Sequence, residues 1–432
     1  MISWPFPSSP CAQKTIFTDM QRQRAVREEQ AGVFADDWIY PASLTLLEVL
    51  IYLSQDMYLP ALPSVGRAFG VGAPFAQWTM TAWLLGASTM HVALGHLSDH
   101  IGRRPVLLAG AGVFAIASAA SAAAPTYAAF IACRVVQGGC LCAVLVAGYA
   151  CIHEMFSPTR CVTILARMNG ATVLAPALGP LLGAGLLTFA PWNFIFVLLS
   201  AMTLPALALL AWSMPETWTP ARPAPTMTPL CKRGTSAHER RTRSMVRPLG
   251  AFCAVFGMLV SWNASAPFFF VEESRSGLRF ALAQGAMYAA FIVGTRFAVR
   301  ASRGDTGYAC LVSRGIRVGA VGVLLALLAQ VSKLGMVATL ASFALTMAGA
   351  GFLFPILFRF TIEQSSATVG VSMGLFFTAT NLVGAGATAL VPVVTTYGIR
   401  AYLGYALALL VAAELIFRDP ARRLFAPVDR RR

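Results

Sequence analysis

Gly95-His96-Leu97-Ser98-Asp99-His100-Ile101-Gly102-Arg103-Arg104-Pro105 is a short polar break in an apolar sequence. It joins an apolar run near residues 76–98 to another near 105–124, and places an acid, a glycine and two arginines in the turn between them. Gly102 permits a tight turn, and Pro105 suits the first turn of the following helix. Asp99 can accept hydrogen bonds from helix N-terminal amides or from an arginine across a domain interface. A plain positively charged loop explains the arginines, but not the acid and the glycines among them. Runs of about 20 apolar residues on both sides make the turn a link between two membrane-crossing helices.

The same pattern extends in both directions. Further apolar spans lie near 38–58, 127–153, 162–188 and 192–213, and then near 249–271, 280–299, 310–331, 334–360, 367–393 and 399–417. With 57% hydrophobic and 12% charged residues over 432, little is left for a soluble enzyme domain. The expected fold is all-α: twelve transmembrane helices in two pseudo-symmetric six-helix halves, 38–213 and 248–417. The long polar interruption, 214–247, holds Pro215, Pro220, Pro223, Pro225 and Pro229 and then a basic run, and reads as an interdomain linker. Residues 1–37 and 418–432 read as tails; the first contains acids and no apolar core, unlike a cleavable signal peptide.

The net charge of +15 would suggest a nucleic-acid partner in a soluble protein. Here 22 of 33 Lys and Arg fall in the tails or the even-numbered links, against four in the odd-numbered ones, with Arg314, Arg317 and Arg400 near the starts of the spans at 310–331 and 399–417. That asymmetry is topological: both ends are expected in the cytoplasm, with no nucleic-acid partner. Arg134, Arg167, Arg296 and Arg359 lie within or at the edges of spans and need separate explanations. The nine cysteines show no CxxC pair and no His/Cys ligand spacing, so they read as small core residues without a disulfide framework or metal site. No nucleotide loop, nucleophile elbow or HExxH is present, and neither enzyme activity nor a cofactor is expected.

The first span contains Glu48 and Asp56, two carboxyl groups in one apolar helix. Each charged residue at mid-bilayer costs about 2.5–3.5 kcal/mol on insertion scales, so such acids usually face a wet cavity or a partner. Eight residues separate them by about 12 Å along the helix, which lets them line one cavity at two depths. A carboxyl group there can exchange a proton as the cavity opens to either side and so couple proton flow to substrate movement. The plainer alternatives are that Glu48 snorkels to the membrane surface and that Asp56 caps a kink before Pro60. Arg134, about two turns into the fourth span, needs an anion; Asp56 at similar depth is its expected partner, in a pair that protonation would break. Glu154, far along the same helix, is expected in water at its end.

The fourth span also carries Gln137 and Gly138, and the fifth a run of small residues and prolines, Ala175-Pro176-Ala177-Leu178-Gly179-Pro180-Leu181-Leu182-Gly183-Ala184, which permits close helix contact and a bend. Asn263, Gln284, Arg296 and Asn381 are scattered polar positions of the second half. Arg359 and Glu363, four apart, are expected to pair with each other. His91 and His153 could titrate, but a lone membrane histidine is more often a hydrogen-bonded packing residue.

At these residues the chain resembles the major facilitator superfamily, and within it the twelve-span drug/proton antiporters. Gly95 to Pro105 is similar to the family's cytoplasmic gating motif, with Gly95, Asp99, Gly102, Arg103 and Arg104 as its key positions. Arg134-x-x-Gln137-Gly138, with Glu154 further on, resembles the fourth-helix motif. Ala175, Pro176, Gly179, Pro180 and Gly183 resemble the antiporter motif, with Ala175 and Ala184 where the broader pattern favours glycine. Asp56-Met57-Tyr58-Leu59-Pro60 is similar to the Bcr/CflA and chloramphenicol-exporter groups. The resemblance implies that Glu48 and Asp56 take part in proton and drug recognition and that Arg134 supports the coupling.

The function expected is proton-coupled export of lipophilic, amphipathic or cationic small molecules across a bacterial inner membrane by alternating access. The partners are then substrate, protons and the lipid bilayer, and the protein is a monomer. A dedicated exporter or importer of one metabolite would share every motif above. A non-transporting receptor or scaffold is the rival class, distinguished by tolerance of neutral residues at Glu48 and Asp56.

Overall fold

A computed structural model of the chain describes residues 38–217, 236–274, 277–302, 307–365 and 369–418. The expected tails 1–37 and 419–432 and residues 218–235 of the expected linker lie outside the described residues. The described chain is helical. Span 1 is Ile39–Asp56, and a short 3-10 turn at Leu59–Ala61 with Pro60 at its start leads to Leu62–Ala68. Span 2 breaks at Met90 into Ala73–Thr89 and His91–Ile101, and span 3 is Arg103–Ala122. Span 4 runs from Tyr127–Ala143 through a π-helical segment, Val144–Gly148, into Tyr149–Met155. Span 5 is Pro158–Thr172 followed by Leu174–Leu186, and span 6 is Phe194–Ser213.

The second half is more regular. Spans 8 to 12 are Gly277–Ala301, Tyr308–Val331, Met336–Gln364, Val369–Thr395 and Ile399–Arg418. Span 7 occupies Ser236–Ser274, so its helix begins inside the stretch read as linker. Ten stretches are long and apolar enough to cross a membrane by length and composition. The other two are spans 1 and 2: the polar residues Glu48, Gln55 and Asp56 lower the hydropathy of the first, and Met90 divides the second. The chain is therefore a multi-pass membrane protein with twelve spans in two halves. Ile116, Leu204, Trp212, Val331 and Val337 are among the large apolar side chains exposed on its outer surface, where lipid would cover them.

Close backbone contacts organise each half. A Cβ placed on Gly86 of span 2 would lie 1.9 Å from the Val135 carbonyl oxygen of span 4, and one on Gly138 the same distance from that of Trp83. Spans 8 and 10 repeat the device: a Cβ on Gly294 would sit 2.0 Å from the Ala348 oxygen, and one on Gly351 2.0 Å from the Phe291 oxygen. No residue but glycine lets helices meet so closely. The equivalence of spans 2 and 4 with spans 8 and 10 is pseudo-symmetry seen in the packing.

The halves meet along span 2 and span 11, where hydrogen bonds join Thr81 to Thr388 at 2.9 Å and His91 Nδ1 to Thr378 at 3.3 Å. They also meet where span 5 passes span 8, with Leu181 beside Gly285. This interface surrounds the end of span 1, and so sets what faces Asp56.

Candidate functional site

The site is built on the end of a helix. Pro60 has no amide hydrogen for the helix to use, and span 1 stops at Asp56, leaving the carbonyl groups of its last turn short of partners. Leu53 receives the Met57 amide at 2.8 Å. The Ser54 carbonyl accepts instead from Arg134 Nη1 at 2.9 Å. Arg134 is wholly buried, and the same nitrogen donates to Gln137 Oε1 at 2.6 Å, while Gln137 Nε2 donates to Ser118 of span 3 at 3.0 Å. The guanidinium lies 4.5 Å from the ring centre of Tyr58 and 5.8 Å from that of Phe196. Carbonyl oxygens at a helix C-terminus and aromatic faces both favour a cation, and together they compensate this one.

That arrangement corrects the expected Arg134–Asp56 ion pair. Asp56 is 4% exposed and within electrostatic reach of Arg134, but no ion pair joins them in this structure. The physical reason is the helix end: the Ser54 carbonyl, two residues before Asp56, and Gln137 Oε1 together hold the guanidinium through Nη1. Arg134 Nε and Nη2 have no hydrogen-bond partner, so donors remain for an acceptor entering here.

Span 5 closes over this corner. A Cβ on Gly183 would fall 1.7 Å from the Met57 carbonyl oxygen, and one on Gly179 2.9 Å from Asp56 Cβ. Pro180, inside the helix, cannot donate an i to i−4 bond. The small residues of this motif, with Ala175 and Pro176 one turn before Gly179, thus let span 5 lie against the broken end of span 1.

Glu48 is only 2% exposed, so it does not snorkel to a surface. Tyr149 OH donates to its two carboxylate oxygens at 3.0 and 3.2 Å. Tyr149 follows immediately on the π-helical segment of span 4, whose wider turn resets the helical register and brings this phenol to span 1. Tyr52, between the two acids on span 1, stacks at a tilt 6.2 Å from Trp83, which donates to Ser54 Oγ at 3.1 Å.

Across from the acids, span 7 and span 8 supply a neutral cluster. Trp262 Nε1 donates to Gln284 Oε1 at 2.9 Å, Gln284 Nε2 to Asn263 Oδ1 at 2.7 Å, and Asn263 Nδ2 to Tyr288 OH at 2.9 Å. All four side chains are buried, and Tyr288 is within electrostatic reach of Asp56. The sequence marks Asn263 and Gln284 as isolated polar positions; their spacing over two spans hides that they form one network.

The turn that joins spans 2 and 3 is held within the first half. Asp99 pairs with Arg103 Nη1 at 2.6 Å, and the same nitrogen donates to Ser98 at 2.9 Å. Arg103 Nη2 lies 3.6 Å from Glu154 Oε1, and Glu154 Oε2 accepts from Thr217 at 2.5 Å. Glu154 thus stands at the helix end, as expected, with its side chain 21% exposed, and is also drawn into a network of hydrogen bonds. Gly102 has φ +107°, a backbone state that favours glycine. A Cβ there would sit 2.7 Å from Glu216 Oε2.

Glu216 is the residue the sequence reading missed. Its carboxylate accepts from the backbone amides of Arg103 at 3.1 Å and Arg104 at 3.2 Å, at the N-terminus of span 3, the place anticipated for Asp99. Arg104 Nη2 donates to the Ala211 carbonyl at 2.5 Å, binding the turn to span 6 a second time. The available signal was an acid at the end of an apolar span, in Pro215-Glu216-Thr217. Gly95 packs toward Val146 of the π-helical segment.

The remaining arginines within spans lie at the surface. Arg359 pairs with Glu363 at 2.6 Å as expected, Arg167 lies 4.5 Å from the ring centre of Trp38, and Arg296 is exposed. His91 is hydrogen-bonded to Thr378 and to the Cys142 thiol, the packing role expected, and His153 is exposed. Among the described residues the cysteines are free, and no group of three or more His, Cys, Asp or Glu could hold a metal ion.

Comparison with known proteins agrees with this architecture. The family model described as the Major Facilitator Superfamily matches residues 44–389. The multidrug transporter MdfA of Yersinia pestis is 32% identical over 350 residues, covering 78% of this chain and 83% of its own. The multidrug resistance protein MdtM of Salmonella typhimurium is 29% identical over 348 residues, covering 78% and 82%. The crystal structure of a D-xylose–proton symporter superposes with a TM-score of 0.72 at 16% identity, over 88% of this chain and 97% of that one. A bacterial homologue of the lysosomal transporter Spinster, in an inward-facing state, gives 0.63 at 12% identity. Two six-helix halves, glycine contacts repeated between them and a family match over most of both make this chain a member of the major facilitator superfamily, a transporter and not an enzyme.

Proposed function

We propose that this transporter is a proton-coupled antiporter that exports lipophilic, amphipathic or cationic small molecules by alternating access. The observation that carries the reading is the pair of buried carboxyl groups, Glu48 and Asp56, on one membrane-spanning helix. Their burial is costly unless protonation and substrate binding use them. Tyr149 orients the first, and Arg134 holds the helix end beside the second. A cationic substrate would meet the acids directly; a neutral one would use the aromatic walls and the amide cluster of spans 7 and 8. The identity of MdfA and MdtM as multidrug proteins supports this substrate class.

On this reading the membrane is the bacterial inner membrane, both termini are cytoplasmic, the working unit is a monomer, and the Asp99 turn gates the cytoplasmic side. The network of Asp99, Arg103, Glu154 and Glu216 ties the ends of spans 2, 3, 4 and 6 into one unit that moves as a body. The test is purified protein in proteoliposomes: an added lipophilic cation should release protons from the protein and be driven uphill by a pH gradient. Transport that ignores the gradient would overturn the coupling.

A further inference from the structure

Three of the five histidines in the chain, His91, His96 and His100, fall within the single helix His91–Ile101. His91 is buried and packed, but His96 and His100 are exposed beside the gating turn. They stand four residues apart, one helical turn, and so share a face. Their ring centroids are 4.2 Å apart in an edge-to-face arrangement, with an interplanar angle of 79°. Neither ring is used by the hydrogen bonds that join Asp99, Arg103, Glu154 and Glu216.

Two imidazoles at this spacing on one helix can offer nitrogen ligands to the same ion, as the paired histidines of helical zinc motifs do. Imidazole suits Zn²⁺, Cu²⁺ and Ni²⁺, and does not suit Mg²⁺ or Ca²⁺, which take oxygen. Donor nitrogens must come within about 2.0–2.1 Å of zinc. Exposed rings already in contact reach that geometry by turning about their side-chain bonds, with water completing the shell. Of the neighbouring charges, Asp99 lies between the two histidines in sequence and favours a cation, while Arg103, paired with Asp99, opposes it.

We propose that His96 and His100 form a two-ligand site for a divalent transition-metal ion across the last two turns of the helix His91–Ile101. The site differs in kind from an enclosed metal centre: it is open to water and needs no third protein ligand. An ion held there would clamp the turn that ends at Gly102, where the backbone takes its positive φ, and would stiffen the helix end from which Asp99 reaches Arg103. The alternative is that two neighbouring surface histidines do no more than touch.

The experiment uses Ni²⁺ as the probe and the full-length protein in detergent at neutral pH. Calorimetric titration should give one saturable site per chain, weakened about tenfold or more in both H96Q and H100Q, because one imidazole alone loses the chelate. The register control H100Q/I101H keeps the histidine count but turns the second ring about 100° around the helix, so it should not restore binding. Ile101 is 50% exposed, so the replacement disturbs no core. Hydrogen exchange of the unaltered protein supplies an arm free of mutation: Ni²⁺ should slow amide exchange in residues 97–102. Binding that persists in H96Q and H100Q, recovery in H100Q/I101H, or exchange unaffected by the ion would each overturn the site.

Discussion

Spans 2 and 4 of the first half and spans 8 and 10 of the second meet through the same reciprocal glycine contacts, at Gly86 with Gly138 and at Gly294 with Gly351. What these matching scaffolds enclose is different. Glu48, Asp56 and Arg134 are buried in the first half, whereas among the described residues the buried polar side chains of the second are neutral: Asn263, Gln284 and Asn381 with serines and threonines. Helix packing alone therefore does not call for the charges. A scaffold that packs without buried ionisable carboxyl or guanidinium groups among its described residues in one copy keeps three in the other, which supports a division of labour, with proton exchange in the first half and neutral hydrogen bonding to substrate in the second.

The sharpest attempt to break that division is the double variant Glu48→Gln, Asp56→Asn. It should abolish uphill efflux driven by a pH gradient while leaving the protein folded in the membrane, and efflux that survives would remove the first half's claim to the proton. Next in size is Arg134→Met. It strands the Ser54 carbonyl and Gln137 Oε1, at about 1–3 kcal/mol for each unsatisfied buried acceptor, and should lower both thermal stability and turnover. Arg134→Lys should recover part of each, because it keeps the charge and loses the planar fork. A thermal midpoint unchanged in Arg134→Met would show that the helix end needs no cap.

On the second half, Asn263→Leu opens the chain of bonds from Trp262 to Tyr288. We expect substrate affinity measured by equilibrium binding to fall by about 1–3 kcal/mol, with the number of protons released per bound substrate unchanged. A changed proton count would merge the roles of the two halves. Asp99→Asn, which weakens the hold on Arg103, should slow turnover several-fold with little change in binding, since it biases a conformational equilibrium away from the ligand. Equal losses in both would deny it a gating role. The smallest effect belongs to Arg359→Ala: its pair with Glu363 is exposed, at 61% and 45%, and its loss should change stability by no more than about 0.5 kcal/mol in a thermal melt.

How far the site could be read in advance depended on whether its parts are local. Glu48 and Asp56 stand out because a carboxyl group in an apolar run is costly wherever it points, and Arg359 with Glu363 because four residues is one helical turn. Asp99 and Arg103 also meet within a turn, as the motif suggests. Glu216 could not be assigned to the amides of Arg103 and Arg104 from sequence, since over a hundred positions separate them and only the packing of span 6 on span 3 brings them together. Tyr149 reaches Glu48 only through a π-helical segment, which no hydrophobic period announces.

Apolar length and the cost of carboxyl groups in lipid are properties of the local chain, so the twelve helices, the two halves and the burden of charge in the first are legible in the residues alone. Tertiary structure alone decided which groups answer those charges. A guanidinium goes to the nearest unsatisfied acceptor, and at the broken end of span 1 that acceptor is the Ser54 carbonyl and not the Asp56 carboxylate. The carbonyl is left over because span 1 ends at Asp56, short of Tyr58, whose amide a continuing helix would bring to it, but its meeting with Arg134 depends on how spans 1 and 4 pack, which is not encoded at any one position.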